Sequence, residues 1–272
     1  MAESQLQWFN VGRLSPTVWR IEEPVGMVSE YLVTGADKAL LVDCGWGLGN
    51  LPEIIRGLTP LPLFIVNTHG HRDHTSGDYL FDETIRIREG DVPLLKKAYD
   101  PANRRETLRR FPKETWPPGF DADAWIHAPL PRYEAFEGPM SFDLGGRTVD
   151  VIETPGHTPG SLCVYDRKER LLFAGDNINA GNMLLMMPES LPMATYAKSI
   201  DKLVAMADRI DQIWPAHGPA PLKPDVFKDM QAGLRKVMAG EISGKPETTP
   251  LGSGLAIRFD GCGILYREDR IA

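Results

Sequence analysis

LFIVNTHGHRDH, residues 63–74, sets a compact apolar run directly against four groups with metal-ligand chemistry. Residues 63–67 read as a buried strand that ends at Thr68-His69. His69, His71, Asp73 and His74 then fall within six residues. Imidazole nitrogens suit zinc, and so does a carboxylate oxygen. The spacing is too tight for all four to bind one ion from a regular helix or strand. A loop could aim His69 and His71 at one ion while Asp73 and His74 face another.

Each ion then needs ligands from elsewhere in the chain. Three candidates stand in turns beside apolar, strand-like runs: His157 in ETPGHTPGS, Asp176 in LLFAGDN and His217 in IWPAHGP. The flanking glycines and prolines allow tight turns that present a side chain at a sheet edge. Asp176 suits a bridge between two cations, since one carboxylate carries two oxygens. Of the six histidines, only His127 lies outside such a setting.

These residues carry a family resemblance. HGHRDH at 69–74 resembles the His-x-His-x-Asp-His signature of the metallo-β-lactamase fold superfamily, and His157, Asp176 and His217 follow in that family's order. The resemblance runs from LLVDCG at 40–45 to PAHGP at 215–219. It implies an α+β chain folded as a four-layer αβ/βα sandwich, two packed mixed β-sheets flanked by helices. In the family pattern His69, His71 and His157 take one ion, Asp73, His74 and His217 take the other, and Asp176 lies between them. Asp43 corresponds to a family aspartate near the site that orients ligating histidines. The implied cofactor is two divalent metal ions, Zn²⁺ first, with Fe or Mn as alternatives. The implied chemistry is attack by a metal-bridged hydroxide, with Asp73 and Asp176 as catalytic groups and no Ser or Cys nucleophile.

Departures from the family's variants narrow the reading. An aspartate at 176 resembles the glyoxalase II-like, lactonase-like and phosphodiesterase-like branches and not a true β-lactamase, where that position is commonly Cys or Ser. His71 and the absence of room for a flavin domain set aside the diiron flavoproteins. A small ester, thioester or lactone is the expected substrate. A phosphodiester hydrolase and a mononuclear-iron, persulfide dioxygenase-like enzyme are the alternatives.

Composition fits this reading. The 272 residues, 42% hydrophobic and 25% charged, are ordinary for a globular chain. Because the ligands run from His69 to His217, we expect one metallo-hydrolase domain over 1–272. The net charge of −7 disfavours polyanions, so the expected partner is a small molecule and not nucleic acid. The basic patch Arg104, Arg105, Arg109 and Arg110, broken by Glu106, reads as a solvated helix face. Three scattered cysteines form no disulfide framework or CxxC clip. The amino terminus shows no secretory pattern and no apolar stretch approaches a membrane span. A cytoplasmic, non-membrane protein is expected, with a homodimer among its open oligomeric states.

The remaining pattern is strands at 17–21, 27–34, 38–42, 84–88, 147–152, 161–165, 170–173 and 210–214, and a terminal hairpin at 255–266. Helical spacing appears at 48–57, 194–207 and 225–238. Residues 91–139 read as an insert, one or two helices followed by a segment rich in Pro, Trp and acids, and are expected to act as a lid. Its Trp116, Phe120, Trp125 and Tyr133 fit either an apolar acyl pocket or a set of anchors pinning the loop, and His127 either a lid residue or an exposed one.

Overall fold

The computed structural model describes residues 8–259 and 261–272. Two compact units divide the chain, one ending at Thr148 and one beginning at Val149.

In the first unit, β1 (Asn10–Ser15), β2 (Val18–Glu22), β3 (Ser29–Thr34), β4 (Ala39–Val42), β5 (Leu63–Val66), β6 (Ile85–Arg88) and β7 (Tyr133–Phe136) lie side by side in that order. The pairs from β1 to β4 are antiparallel, and those from β4 to β7 are parallel. A parallel neighbour needs a crossover, and α1 (Leu51–Leu58) supplies it between β4 and β5. Asn50 starts that helix by accepting from the Glu53 N–H, Pro52 stands in its first turn, and Leu51, Ile54 and Ile55 bury one face. Those side chains pack with Leu32, Leu41 and Ile65 of the sheet. The strand β8 (Met140–Asp143) ends this part of the chain.

The parallel order matters for function. Asp43 follows β4, Thr68 follows β5 and Asp91 follows β6, so all three stand beyond the carboxyl ends of adjacent parallel strands. Ligand-binding residues collect at such edges because the connecting turns open there.

Residues 91–139 contain α3 (Val92–Ala98), α4 (Pro101–Arg109) and α5 (Ala122–Ile126), after the one-turn α2 (Arg72–Thr75). They also contain β7, which sequence reading treats as loop. Tyr133–Phe136 carries little strand pattern of its own, and pairing with β6 supplies what the pattern lacks. Trp125 is buried with Val25, Leu48 and Leu108, and Trp116 and Phe120 pack onto that cluster. The Trp125 Nε1 donates to the Trp46 carbonyl at 2.9 Å. These aromatics anchor the segment, whereas Tyr133 packs elsewhere, beside Ile87 and Leu95. His127 is exposed and sits 3.0 Å from the Arg105 guanidinium. Arg104 corrects the expectation that it lies on a solvated face: it is 1% exposed, enclosed by the rings of Tyr99 and Trp125.

Two carboxyls, Glu23 and Glu30, lie fully buried beneath the turn after β4. A Cβ on Gly45 would sit 2.3 Å from Glu30 Oε1 and 2.4 Å from Glu23 Oε1, so only glycine passes over the pair. Burial pushes Glu23 up to about 8 against the opposing pull of the Gly47 and Trp46 amides, and burial and the Glu23 charge push Glu30 well up.

In the second unit, β9 (Thr148–Glu153), β10 (Leu162–Asp166) and β11 (Leu171–Gly175) form an antiparallel run. After β12 (Asn182–Leu185) and α6 (Met193–Ala205), β13 (Gln212–Pro215) joins β11 in parallel. Then α7 (Val226–Met238), β14 (Lys245–Thr249), β15 (Gly252–Phe259) and β16 (Cys262–Tyr266) follow, and a second sheet runs β12-β16-β15-β14. β12 and β14 are strands that the sequence pattern does not announce. Asn182–Leu185 is a short run, NMLL, that becomes a strand through parallel pairing with β16, and Lys245–Thr249 is largely exposed. The apolar faces of α6 (Tyr196, Ile200, Leu203) and α7 (Phe227, Met230, Leu234) share one buried cluster.

Two measurements check this account. Phe227 is fully buried in that cluster, so Phe227→Ala should destabilise the protein by about 3–5 kcal/mol, read as a lower urea midpoint. Glu23 has a raised folded pKa, so the native state keeps a proton that the unfolded chain has released. Its contribution is therefore fully present below about 4.5 and is lost as pH rises through about 8. In metal-free protein, unfolding free energy should fall across that window by ~1.4 kcal/mol per pH unit for one proton, and Glu23→Gln should flatten the slope.

Candidate metal centre

Beyond β5, Asn67 and Thr68 are buried, and the chain turns through His69, Gly70 and His71 before α2 begins. Sequence reading leaves all four ligand candidates on a loop. The structure puts Asp73 and His74 on a single helical turn instead, with His71 at its N-cap position. His69 Nε2 and His71 Nδ1 come within 3.0 Å, and the rings of His69 and His74 have centroids 4.0 Å apart. Asp73 Oδ2 lies 3.7 Å from His74 Nε2.

Asp43 organises this group. Its Oδ1 accepts from the Thr68 N–H at 2.7 Å, and its Oδ2 accepts from the Thr68 hydroxyl at 2.7 Å and from His74 Nδ1 at 2.8 Å. Because the carboxylate can only accept, His74 carries its proton on Nδ1 and turns a bare Nε2 toward Asp73. The Thr68 hydroxyl spends its hydrogen on Asp43, so toward His69 Nδ1, 3.1 Å away, it can only accept. His69 therefore holds its proton on Nδ1 as well and presents Nε2 as a lone pair. One carboxylate sets the tautomers of two histidines, which is how ligating imidazoles are made ready for a metal. Asp43 adopts a left-handed backbone, φ 64°, which aspartate tolerates better than most residues.

The second unit builds its own set. His157, Asp176 and His217 follow β9, β11 and β13. Since β9 and β11 are each antiparallel to β10, and β13 is parallel to β11, the three turns leave the same sheet edge. His157 Nδ1 donates to the Leu184 carbonyl at 2.7 Å, which leaves Nε2 without a proton and 3.5 Å from Asp176 Oδ2. Asp176 Oδ1 lies 3.4 Å from His217 Nε2. The two oxygens of one carboxylate thus face two different imidazoles.

These separations test whether a metal fits. They exceed the usual 2.7–3.2 Å of an N–H···O bond. Two ligand atoms about 2.1 Å from a tetrahedral ion lie about 3.4 Å apart. The nitrogen–oxygen distances of 3.4, 3.5 and 3.7 Å match ligands that share an ion. Bare, oriented imidazole nitrogens beside carboxylates are the donor set of zinc and related divalent ions. The pairs just given link five of the seven expected ligands within their own units, His69 lies against His74, and His71 joins through His69. His127 stands apart from both sets. Sequence reasoning missed Thr68 as the partner that turns His69, for which the only signal is its place at the strand end.

The profile described as metallo-beta-lactamase superfamily matches residues 24–217. Acyl-coenzyme A thioesterase MBLAC2 of Gallus gallus is 30% identical over 233 residues, covering 79% of this chain and 82% of that one. Atrochrysone carboxyl ACP thioesterase nsrC of Aspergillus novofumigatus is 23% identical, over 86% of this chain and 62% of that one. A metallo-beta-lactamase from Pontibacter korlensis shares the fold at a TM-score of 0.61 and 18% identity, over 82% of this chain and 97% of that one. With the profile spanning most of the chain, this protein belongs to the metallo-beta-lactamase superfamily, has its α+β fold and is a metal-dependent hydrolase.

Proposed function

We propose that the chain is one metallo-hydrolase domain over 1–272 whose two ligand sets close on a pair of divalent ions, Zn²⁺ by donor type, and that it hydrolyses a carboxylic thioester. In this reading His69, His71 and His157 hold one ion, Asp73, His74 and His217 hold the other, and Asp176 spans both. The observation that carries it is the Asp176 carboxylate, with one oxygen 3.5 Å from His157 and the other 3.4 Å from His217. The matched span of the family, residues 24–217, contains all seven ligands. The thioester assignment is supported by relatives named for acyl-CoA and acyl-carrier thioesters.

Two such ions, when bound, supply an acidified water and a Lewis acid for the acyl oxygen. The protein's own residues then have distinct tasks. Asp43 keeps His69 and His74 in the tautomers that leave Nε2 unprotonated. Asp73, whose side chain keeps 21% of its surface open, serves as the base that takes a proton and then, as the acid, returns it at solvent's edge. No thiol competes as nucleophile. Burial pushes Cys44 well up and Cys163 up to about 12, so both stay protonated, and Cys262 is buried too.

Thiol release from a panel of acyl-CoA substrates tests the reading. Activity should vanish on chelation and return with Zn²⁺, and elemental analysis should find two metals per chain. Asp176→Ala should lower kcat/KM by at least roughly 100-fold, and unchanged turnover would defeat the bridge. Activity on a bis-aryl phosphate alone would select a phosphodiester hydrolase, and one iron per chain with oxygen uptake would select a dioxygenase. Asp43→Asn, which alters the acceptor for both tautomers, should weaken Zn²⁺ binding roughly 10–100-fold in a competition titration.

A further inference from the structure

The ligand stretch is held from outside by side chains of the 91–139 segment. Asp91 occupies the N-cap position of α3 yet makes no side-chain cap bond to its own helix. Its Oδ2 instead accepts from the Gly70 N–H at 2.8 Å, between His69 and His71. The packing there is flush: a Cβ on Gly70 would meet the Asp91 carbonyl oxygen at 2.6 Å and the Leu94 Cβ at 2.7 Å.

The other end of the stretch is clamped by α3–α4. A helix of four residues such as α2 cannot sustain itself, and its last carbonyls lack partners of their own. The Tyr99 hydroxyl donates to the Thr75 carbonyl at 2.9 Å. Arg104 Nη2 donates to the Ser76 carbonyl at 3.1 Å, and its other nitrogens donate to the carbonyls of Ala98 and Trp125. The guanidinium stacks 4.1 Å from the Tyr99 ring centroid and 4.6 Å from that of Trp125. A buried cation is costly, and only a planar fork can reach three carbonyls while stacked between rings. Arg72 of α2 adds a 2.8 Å bond to the Thr107 hydroxyl of α4.

We propose that Asp91, Tyr99 and Arg104 are positioning residues for the metal ligands: Asp91 sets the turn carrying His69 and His71, while Tyr99 and Arg104 set the helical turn carrying Asp73 and His74. This assigns the inner edge of the 91–139 segment to holding the ligands, and it rests on the reading of those residues as a metal centre.

The test is the Zn²⁺ affinity of full-length protein, measured by competition with a chromophoric chelator, alongside circular dichroism and thermal melting of the metal-free form. Asp91→Ala and Arg104→Met should keep the native spectrum and bind Zn²⁺ roughly 10–100-fold more weakly. Asp91→Asn, which retains an acceptor oxygen, should recover most of the loss. Should Arg104→Met fail to fold, Tyr99→Phe removes only the hydroxyl and should still weaken binding several-fold. Folded variants that melt earlier but bind Zn²⁺ like the parent would overturn the proposal, since those contacts would then serve stability alone. A parent protein that binds no Zn²⁺ would instead defeat the metal reading itself.

Discussion

The Asp43 carboxylate is the point on which the amino-terminal ligand group depends. It joins three donors from the β5 turn and α2, the Thr68 amide, the Thr68 hydroxyl and the His74 imidazole, all at 2.7–2.8 Å. Such charge-assisted bonds are the strong class of hydrogen bond, and in a buried setting each unmade one would be costly. Their effect is more than rigidity. By accepting everything offered, Asp43 decides which nitrogen of each neighbouring histidine carries a proton, and so which nitrogen faces the site.

The carboxy-terminal group reaches the same end by different means. His157 is turned by a backbone carbonyl, that of Leu184, and not by a carboxylate. Ser190 donates to the His157 carbonyl at 2.9 Å and fixes the turn. Asp176 and His217 need little more than the parallel pairing of β11 and β13, which carries both turns to one edge. In both units the turns that bear the candidate ligands leave the carboxyl ends of like-directed strands, where backbone groups are already satisfied by the sheet and side chains can be given over to chemistry.

Around these turns the protein tolerates charge in places where burial would ordinarily exclude it. Arg104 is buried with its carbonyl partners supplied by α3, α5 and the end of α2. Glu23 and Glu30 are buried with few donors, and burial holds both in the protonated range well above an ordinary carboxyl. The close passage of Gly47 against Gly77, where a Cβ on Gly47 would meet the Gly77 Cα at 2.5 Å, leaves the turns after β4 and α2 in backbone contact. Side chains are excluded there because Tyr79 and the Gly45 carbonyl, which take up Gly47 O and Gly77 N, require the two chains to touch.

The sequence by itself determined the candidate ligand residues, the family and most of the regular elements. Imidazole and carboxylate groups clustered after an apolar run are a local signal, and so are the helical spacing of α6 and α7 and the caps of α1. Tyr133–Phe136 and Asn182–Leu185 were not legible, because each exists only through a partner distant in the chain, and Lys245–Thr249, a largely exposed polar arm of a local hairpin, lacks an apolar alternation. The same limit hid the roles of Asp91, Tyr99 and Arg104: a charged residue in a basic run reads as solvated until the rings that enclose it are known. Tautomers, burial and buttressing depend on what folding brings alongside each group. Those matters only the tertiary structure decided, since a local pattern holds no information on hydrogen-bond partners tens of residues away.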